Sequence, residues 1–245
     1  NQETAFLMRL GWSFGLGTGG RYSENCRNFI RSVNVVYDEL LKRPEIRKRD
    51  ERFADHLEEY ERILLKEHRL LTFGLLTSLA VEKLEDNSDI LSSVKYLIVD
   101  EYQDINRAQE RLINIIGQYA SVFVVGDPRQ CIYQWRGSNS RSFDSFLKIF
   151  PSSDSIPIRE NHRSTKSIVT LANKFASTFE KDKYDSLKST RTEEGNVLLM
   201  RCNDDVSEAS WIITQVNRLV EDKKMCKYSD IAILLRSVST SAATF

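Results

Sequence analysis

Two short apolar runs, each ending in an acidic residue, constrain the fold of this chain more than any other feature of its sequence. The first is KYLIVD, residues 95–100, and the second is SVFVVGD, residues 121–127. Between them lies NRAQERLINIIGQY, in which Leu112, Ile115 and Ile116 fall on one helical face. A strand, an amphipathic helix and a second apolar strand together predict a parallel sheet whose two faces are covered by helices.

The same alternation continues toward the C-terminus. The segments DSIPIRE, NVLLMR and IAILLR are further strand candidates, and segments with apolar residues at helical spacing separate them. Residues from about 24 to 68 are instead predicted to be helical and highly charged. Within them, the run RPEIRKRDER, residues 43–52, is expected to be a solvated helix face or turn rather than a DNA contact. The stretch FPSSDSIP, residues 150–157, is the best hinge candidate, so we expect an α/β chain of two units.

The composition excludes several classes of protein. Of the 245 residues, 41% are hydrophobic and 29% are charged, and no apolar run is long enough to span a bilayer. No signal peptide is recognisable, and the four distant cysteines form no CxxC pair. We therefore expect a cytoplasmic protein with reduced thiols and no membrane partner. The net charge of zero gives no sign of a nonspecific nucleic-acid coat, but it allows a narrow groove that grips one strand.

The motif YLIVDEYQD, residues 96–104, places Asp100 and Glu101 directly after a predicted strand. Open α/β sheets bind ligands beyond the carboxyl ends of their strands. Two adjacent carboxylates there suit phosphoryl transfer, because one can hold Mg²⁺ and the other can accept a proton from attacking water. A strand that merely ends in an acidic turn explains this motif alone equally well.

The motif VVGDPRQCIYQWRGS, residues 124–138, follows the second strand with Gln130 and then with Tyr133, Trp135 and Arg136. Aromatic residues that alternate with Gln and Arg beyond a strand indicate a surface on which rings stack on exposed bases and Arg adds positive charge. A structural loop with the aromatic rings packed beneath it is the alternative.

The motif RENHRST, residues 159–165, precedes a predicted helix. Ser164 or Thr165 can cap that helix, and Arg163 then lies near a helix N-terminus, a region that favours anions. A plain capping segment with a solvated arginine explains this motif better when it is taken alone.

In this order, the three motifs resemble those of the superfamily 1 DNA helicases of the UvrD/Rep/PcrA type. DEYQD is similar to the Walker B motif of that family, GDPRQCIYQWRGS to its third motif and ENHRST to its fourth. The later segments SEASWIITQVNRL and YSDIAILLRS resemble parts of the second motor domain. The resemblance extends from about residue 70 to the C-terminus, and the first 69 residues fit only loosely.

The resemblance implies an α/β fold of RecA-like P-loop motor domains with an N-terminal helical insertion. Residues 1–69 would be part of that insertion, residues 70–155 the second half of the first motor domain, and residues 156–245 the start of the second. Members of the family are ATP-driven motors that translocate along single-stranded DNA, typically 3′ to 5′, and separate duplexes. The expected cofactors are therefore ATP and Mg²⁺, and the expected partners are single-stranded and duplex DNA.

Carried onto this chain, the resemblance implies a role for each matching residue at the nucleotide. Asp100 would hold Mg²⁺ with Glu101 beside it, and Glu101 would be the catalytic base. Gln130 would sense the γ-phosphate, and Arg163 would stabilise the transition state from the second domain. The family usually has a tyrosine stacked on adenine where this chain has His162, whose ring is smaller and whose charge depends on pH.

The resemblance also implies a DNA-binding loop. Tyr133 and Trp135 would stack on bases of the tracked strand, and Arg136 would brace the loop. Gln103 and Asp104 would help to link the ATP and DNA sites.

The glycine-rich stretch GLGTGGRYS, residues 15–23, lacks the lysine and the Ser/Thr of a phosphate-binding P-loop. No G-x-x-x-x-G-K-[ST] occurs in the sequence, and the sequence also stops before the last two motifs of the family. We therefore expect a flexible loop at these glycines and a helicase fragment that hydrolyses ATP poorly on its own. The alternatives are a non-catalytic, helicase-derived DNA-binding or scaffold protein, and the motor part of a RecB/AddA-type helicase–nuclease.

Overall fold

The computed structural model describes residues 2–10, 15–16, 21–87, 89–132, 142–178 and 185–235. The chain divides into two units, Asn1–Ser155 and Ile156–Phe245. Each unit contains its own pair of parallel strands among its helices, so the chain is an α/β protein. No helix within the described ranges is both long enough and apolar enough to cross a membrane.

The N-terminal part of the first unit is helical. Its elements are α1 (Gln2–Arg9), α2 (Tyr22–Asp38), α3 (Arg43–Arg49), α4 (Glu51–Arg62), which continues as a π-helical turn over Ile63–Glu67, and α5 (Phe73–Asp86). The Asp50 side chain accepts a hydrogen bond from the Phe53 amide at the start of α4, and Thr72 caps α5 in the same way. These helices enclose an apolar core whose largest buried side chains include Leu7, Ile30, Tyr37, Leu57 and Tyr60.

The charged run RPEIRKRDER forms α3, a turn and the start of α4. Arg47 forms ion pairs of 2.7 Å with Asp55 and Glu58, and Arg43 forms an ion pair with Glu61. The partners all lie on α4, so these half-exposed arginines join two adjacent helices. The conformation and exposure of this run match the expected solvated helix face or turn.

The predicted strand–helix–strand unit is present. Its elements are β1 (Tyr96–Val99), α6 (Arg107–Ile116) and β2 (Ser121–Val124), and α7 (Ser142–Ile149) follows. The strands pair in parallel, with Tyr96 opposite Ser121 and Val99 opposite Val124. Because α6 returns the chain to the start of the neighbouring strand, both strands end at the same edge of the sheet.

The described residues cover only one face of this strand pair, so the prediction of a sheet covered on both faces is wrong for them. The inward residues, which pack against Tyr102 and Phe146, are Leu97, Val99, Val122 and Val124. The outward residues Tyr96, Ile98 and Phe123 are 74%, 73% and 58% exposed. Successive side chains of a strand point to opposite faces, and the described helices pack against one of them.

The second unit contains short strands and two longer helices. Its elements are β3 (Glu160–Asn161), α8 (Lys166–Ala176), β4 (Lys188–Ser189) and α9 (Asp205–Asn217), which continues as a π-helical turn over Arg218–Asp222. Strand β3 pairs in parallel with β4. Among the described apolar side chains of this unit, Val169 and Ala209 are the buried ones.

Two strand predictions in the second unit are wrong. The segments NVLLMR and IAILLR have no regular structure over residues 196–201 and 231–235, and DSIPIRE contributes only Glu160 to a strand. Most of their side chains are exposed, with Leu199 at 100% and Leu234 at 93%. A strand is defined by backbone hydrogen bonds to a neighbour, and an apolar run does not supply that neighbour by itself.

Candidate functional site

The end of β1 carries the first two predicted site residues. Asp100 and Glu101 are exposed and follow the last strand residue directly. The Glu101 backbone adopts the left-handed conformation, with φ 51° and ψ 42°, and its amide donates to the Asp100 Oδ1 atom at 2.8 Å. A non-glycine residue in this region costs about 1–3 kcal/mol, and such residues cluster at functional sites.

Buried neighbours hold Glu101 in this conformation. Tyr102 has no solvent exposure, and its ring packs edge-on against Phe143 and Phe146 at centroid distances of 5.3 and 5.5 Å. Its amide donates to the Val125 carbonyl at 3.0 Å, which fastens the turn to the chain beyond β2. Burial raises the pKa of the Tyr102 hydroxyl to about 12, so the ring is an uncharged anchor.

Gln103 connects the ends of the two strands. Its side chain is 2% exposed. Its Nε2 atom donates to Glu101 Oε2 at 2.7 Å, and its Oε1 atom accepts from the Asp127 amide at 3.0 Å. The carboxylate after β1 is thereby fixed relative to the turn after β2.

The turn after β2 is organised by Asp127. Its Oδ1 atom accepts from the Arg129 amide and Nε at 3.0 and 2.9 Å, and its Oδ2 atom accepts from Arg129 Nη2 and Gln130 Nε2, each at 3.2 Å. Burial raises the pKa of the Asp127 carboxyl. The hydrogen bonds from Arg129 and Gln130, together with the Arg129 charge, lower that pKa by more, so it lies below its ordinary value. Asp127 is therefore ionised at neutral pH, and it holds the exposed side chain of Gln130.

In the second unit, His162 and Arg163 are exposed and lie between β3 and α8. The Asn161 Oδ1 atom accepts from the Arg163 and Ser164 amides at 3.0 and 2.7 Å. The His162 Nδ1 atom lies 2.9 Å from the Thr190 hydroxyl. This turn holds the backbone of the two predicted residues and leaves their side chains at the surface.

The expected capping of α8 by Ser164 or Thr165 is wrong. Thr165 occupies the capping position without a side-chain hydrogen bond to the helix. The amides of Lys166 and Ser167 donate instead to the Glu193 and Glu194 carbonyls, at 3.2 and 2.8 Å. Because these carbonyls already occupy two of the helix's first amides, the N-terminus of α8 is a poorer anion site than the sequence suggests.

The site residues are thus distributed over both units. Asp100, Glu101 and Gln130 share the edge after β1 and β2, joined through Gln103 and Asp127. His162 and Arg163 belong to the other unit.

Comparison with protein families matches most of the chain. Residues 23–151 match the UvrD/REP helicase N-terminal domain, and residues 156–244 match the UvrD-like helicase C-terminal domain. The chain belongs to the UvrD/REP helicase family.

Individual relatives from this family are DNA helicases by name. The ATP-dependent DNA helicase PcrA of Leuconostoc citreum is 31% identical over 182 residues, which are 72% of this chain and 24% of that protein. A probable DNA helicase II homolog of Mycoplasma capricolum is 33% identical over 182 residues, with coverage of 72% and 25%. PcrA of Bacillus subtilis is 29% identical over 225 residues, with coverage of 88% and 30%. This member of the UvrD/REP family therefore spans less than a third of the length of these relatives.

The donor set at the strand edge fits Mg²⁺ held together with a nucleotide. Mg²⁺ commonly takes one or two protein carboxylates and completes its shell with phosphate and water oxygens. Asp100 and Glu101 are exposed carboxylates, and the hydrogen bonds above engage one oxygen of each. Within the described ranges, no three His, Cys, Asp or Glu side chains form a cluster that could enclose a metal by themselves.

The predicted DNA-contacting residues Tyr133, Trp135 and Arg136 lie outside the described residues.

Sequence reasoning assigned no role to Asp127 and missed its bond to Gln130. The sequence contains one indication of a role for Asp127, because the second apolar run ends in Gly-Asp just as the first ends in Asp100. The hydrogen bonds of Asp127 to Arg129 and Gln130 are local to this motif, whereas its link to Gln103 spans 24 residues.

Proposed function

We propose that this chain is part of an ATP-dependent DNA helicase that couples ATP hydrolysis to 3′ to 5′ translocation on single-stranded DNA and to duplex unwinding. Residues 70–155 are the second half of the first RecA-like P-loop motor domain, and residues 156–245 are the start of the second. Residues 1–69 belong to a helical insertion. The observation that carries the proposal is the hydrogen-bonded edge where Gln103 joins Glu101 to Asp127.

Glu101 is the proposed catalytic base, which accepts a proton from the water that attacks the γ-phosphate. A base must stand within hydrogen-bond reach of the proton that it removes. The bond from Gln103 restricts the Glu101 carboxylate, and the left-handed backbone aims it from the strand end. Such preorganisation is the contribution that a protein makes to phosphoryl transfer.

Asp100 is the proposed Mg²⁺ ligand, with Glu101 beside it. When bound with ATP, Mg²⁺ supplies positive charge to the phosphate oxygens. The Asp100 side chain is oriented by the hydrogen bond that its Oδ1 atom accepts from the Glu101 amide.

The remaining proposed nucleotide-site residues are Gln130 in the first unit and His162 and Arg163 in the second. Gln130 is the proposed sensor of the γ-phosphate, and its side chain donates to Asp127 in the turn after β2. Arg163 supplies positive charge to the developing negative charge on the phosphate. His162 occupies the adenine-stacking position, where its bond to Thr190 orients the ring.

On the DNA side, Tyr133 and Trp135 stack on bases and Arg136 braces their loop. Hydrolysis is assigned to the intact protein, because the 245 residues contain no G-x-x-x-x-G-K-[ST] to hold the phosphates. The relatives from Leuconostoc citreum and Bacillus subtilis are named ATP-dependent DNA helicases, which supports ATP and DNA as the substrates.

The test is the Glu101→Gln variant of the intact protein. We expect the kcat for DNA-stimulated ATP hydrolysis to fall by about 10²–10⁴-fold, the usual contribution of a positioned base. ATP binding is expected to persist, because the amide keeps the size of the carboxylate and removes only the proton acceptor.

The matched control is Glu82→Gln, an exposed glutamate on α5 outside the three motifs. It is expected to leave kcat unchanged. Full turnover by Glu101→Gln would refute the assignment, and single-stranded DNA binding without any ATPase in the unmodified protein would favour a DNA-binding scaffold.

A further inference from the structure

Arg129 lies in the turn after β2, at the proposed nucleotide site, and has no role assigned above. Its guanidinium forms a two-pronged ion pair with Asp127, through Nε to Oδ1 at 2.9 Å and Nη2 to Oδ2 at 3.2 Å. The Arg129 and Asp127 side chains are only 17% and 25% exposed. A bidentate pair of this kind combines fixed geometry with charge neutralisation, and partial burial protects it from screening.

Neutralisation of the Asp127 charge by Arg129 is important because two further carboxylates lie at the end of the neighbouring strand. Asp100 and Glu101 follow β1, and Asp127 follows the neighbouring strand at the same edge. Gln103 bonds both to the Glu101 carboxylate and to the Asp127 amide, so these segments are close. Mg²⁺ can offset the charge of Asp100 and Glu101, but the Asp127 carboxylate would face a polyanionic ligand without compensation if Arg129 were neutral.

We propose that Arg129 is a positioning residue for nucleotide binding, which acts by neutralising Asp127 and by holding the turn that presents Gln130. The inference rests on the proposed function, because it concerns the approach of the ATP phosphates to this edge. Arg129 acts through Asp127: both Asp127 oxygens receive its hydrogen bonds, and Oδ2 also receives the Gln130 amide. Neutralising Asp127 favours binding of the phosphates, so the main expected effect is on affinity for the nucleotide, and the loosened Gln130 turn accounts for a smaller effect on kcat.

The experiment measures steady-state ATPase in the intact protein with saturating single-stranded DNA and Mg²⁺. Arg129→Gln is expected to raise the KM for ATP by about threefold to tenfold with a smaller change in kcat. The increase should shrink as the salt concentration rises, because screening weakens repulsion between charges. Arg129→Lys, which keeps the charge, should recover most of the affinity.

A double variant separates neutralisation from a direct phosphate contact by Arg129. If Arg129 compensates Asp127, then Asp127→Asn combined with Arg129→Gln should bind ATP more tightly than Arg129→Gln alone. The matched control is Arg111→Gln, which removes an arginine from the exposed pair with Glu85 on neighbouring helices and should leave KM unchanged.

Each outcome decides the inference. A KM of Arg129→Gln equal to that of the control, or a double variant no tighter than the single one, would overturn it while leaving the helicase proposal intact. An unmodified protein that neither binds nor hydrolyses ATP would overturn both. A melting temperature close to that of the unmodified protein, together with the salt-dependent KM, excludes a loss of fold as the cause.

Discussion

At the scale of single residues, the contacts beyond the ends of β1 and β2 depend on a glycine, Gly126. A Cβ atom at Gly126 would collide with Gln103 Oε1 and would lie 2.9 Å from the Tyr102 backbone nitrogen. Gly126 is therefore required for space, so that Gln103 can reach the Asp127 amide. The glycine of the Gly-Asp pair and the glutamine of DEYQD form one packing unit across two strands.

This packing predicts the effect of Gly126→Ala. The added methyl group displaces Gln103 and breaks its bond to Asp127 or to Glu101, so we expect a loss of about 1–3 kcal/mol in unfolding free energy. Urea unfolding followed by circular dichroism measures this loss.

The control is Gly74→Ala in α5, where the new Cβ atom would lie 3.2 Å from Tyr37 and a helical residue gains propensity. Because this contact with the buried Tyr37 is tight but is not a collision, Gly74→Ala should lose less stability than Gly126→Ala. Combining Gly126→Ala with Gln103→Ala should cost less than the sum of the two, and strict additivity would contradict the proposed clash.

For single residues, the sequence predicts positions along the chain but not the long-range contacts of side chains. The positions of Asp100 and Glu101 after a strand follow from the local pattern, and the structure confirms those positions. The Gln103 side chain accepts a hydrogen bond from the Asp127 amide, 24 positions away, and no local pattern encodes this contact. The catalytic and binding roles of these residues stay predictions.

At the scale of elements, α6 is the piece that brings the two strand ends together. It begins with a capping box, in which Asn106 Oδ1 accepts from the Gln109 amide at 2.9 Å and Gln109 Oε1 accepts from the Asn106 amide at 3.0 Å. Asn106 Nδ2 also donates to Asp38 Oδ1 on α2 at 2.7 Å. One side chain thus caps the crossover helix and ties it to the helical part of the unit.

Replacing Asn106 separates these two contributions. Asn106→Ala removes both and is expected to lower the unfolding free energy by about 1–2 kcal/mol, the typical value of a helix cap. Asn106→Ser keeps a capping oxygen and loses the bond to Asp38, so its loss should be smaller. Chemical denaturation of the three proteins gives the comparison, and equal stability of the serine and alanine variants would show that the cap contributes nothing.

Elements were predictable where their determinants are local. The segment from β1 to β2 has a strong apolar pattern and a nearby pairing partner, and all three of its elements were predicted. Strands β3 and β4 are two residues long and pair across 28 positions, so their pattern carries little signal. NVLLMR and IAILLR have the pattern but no paired neighbour among the described residues.

At the scale of the whole molecule, the two units differ in how much apolar surface they bury. The described residues of the first unit form three buried clusters that draw on its helices and on β1 and β2. In the described part of the second unit, α8 exposes Leu171 and Phe175 by 52% and 68%, and Met200 is 51% exposed. Burial of apolar surface is the main favourable contribution to folding, so the units should differ in independent stability.

Expressed separately, the two segments are expected to differ in the cooperativity of their unfolding. A fully buried large aliphatic side chain contributes about 1.5–3 kcal/mol, whereas ordering each residue costs about 1–2 kcal/mol. Segment 1–155 is expected to unfold in one cooperative thermal transition, because its clusters supply many such side chains. Segment 156–245 buries Val169 and Ala209 among its described apolar residues, so it should melt without a cooperative transition and bind a hydrophobic dye strongly. Circular dichroism melts and dye fluorescence, with the 245-residue chain as the reference, test both expectations. A sharp, dye-free transition of segment 156–245 would show that its stability has a source other than the burial of Val169 and Ala209.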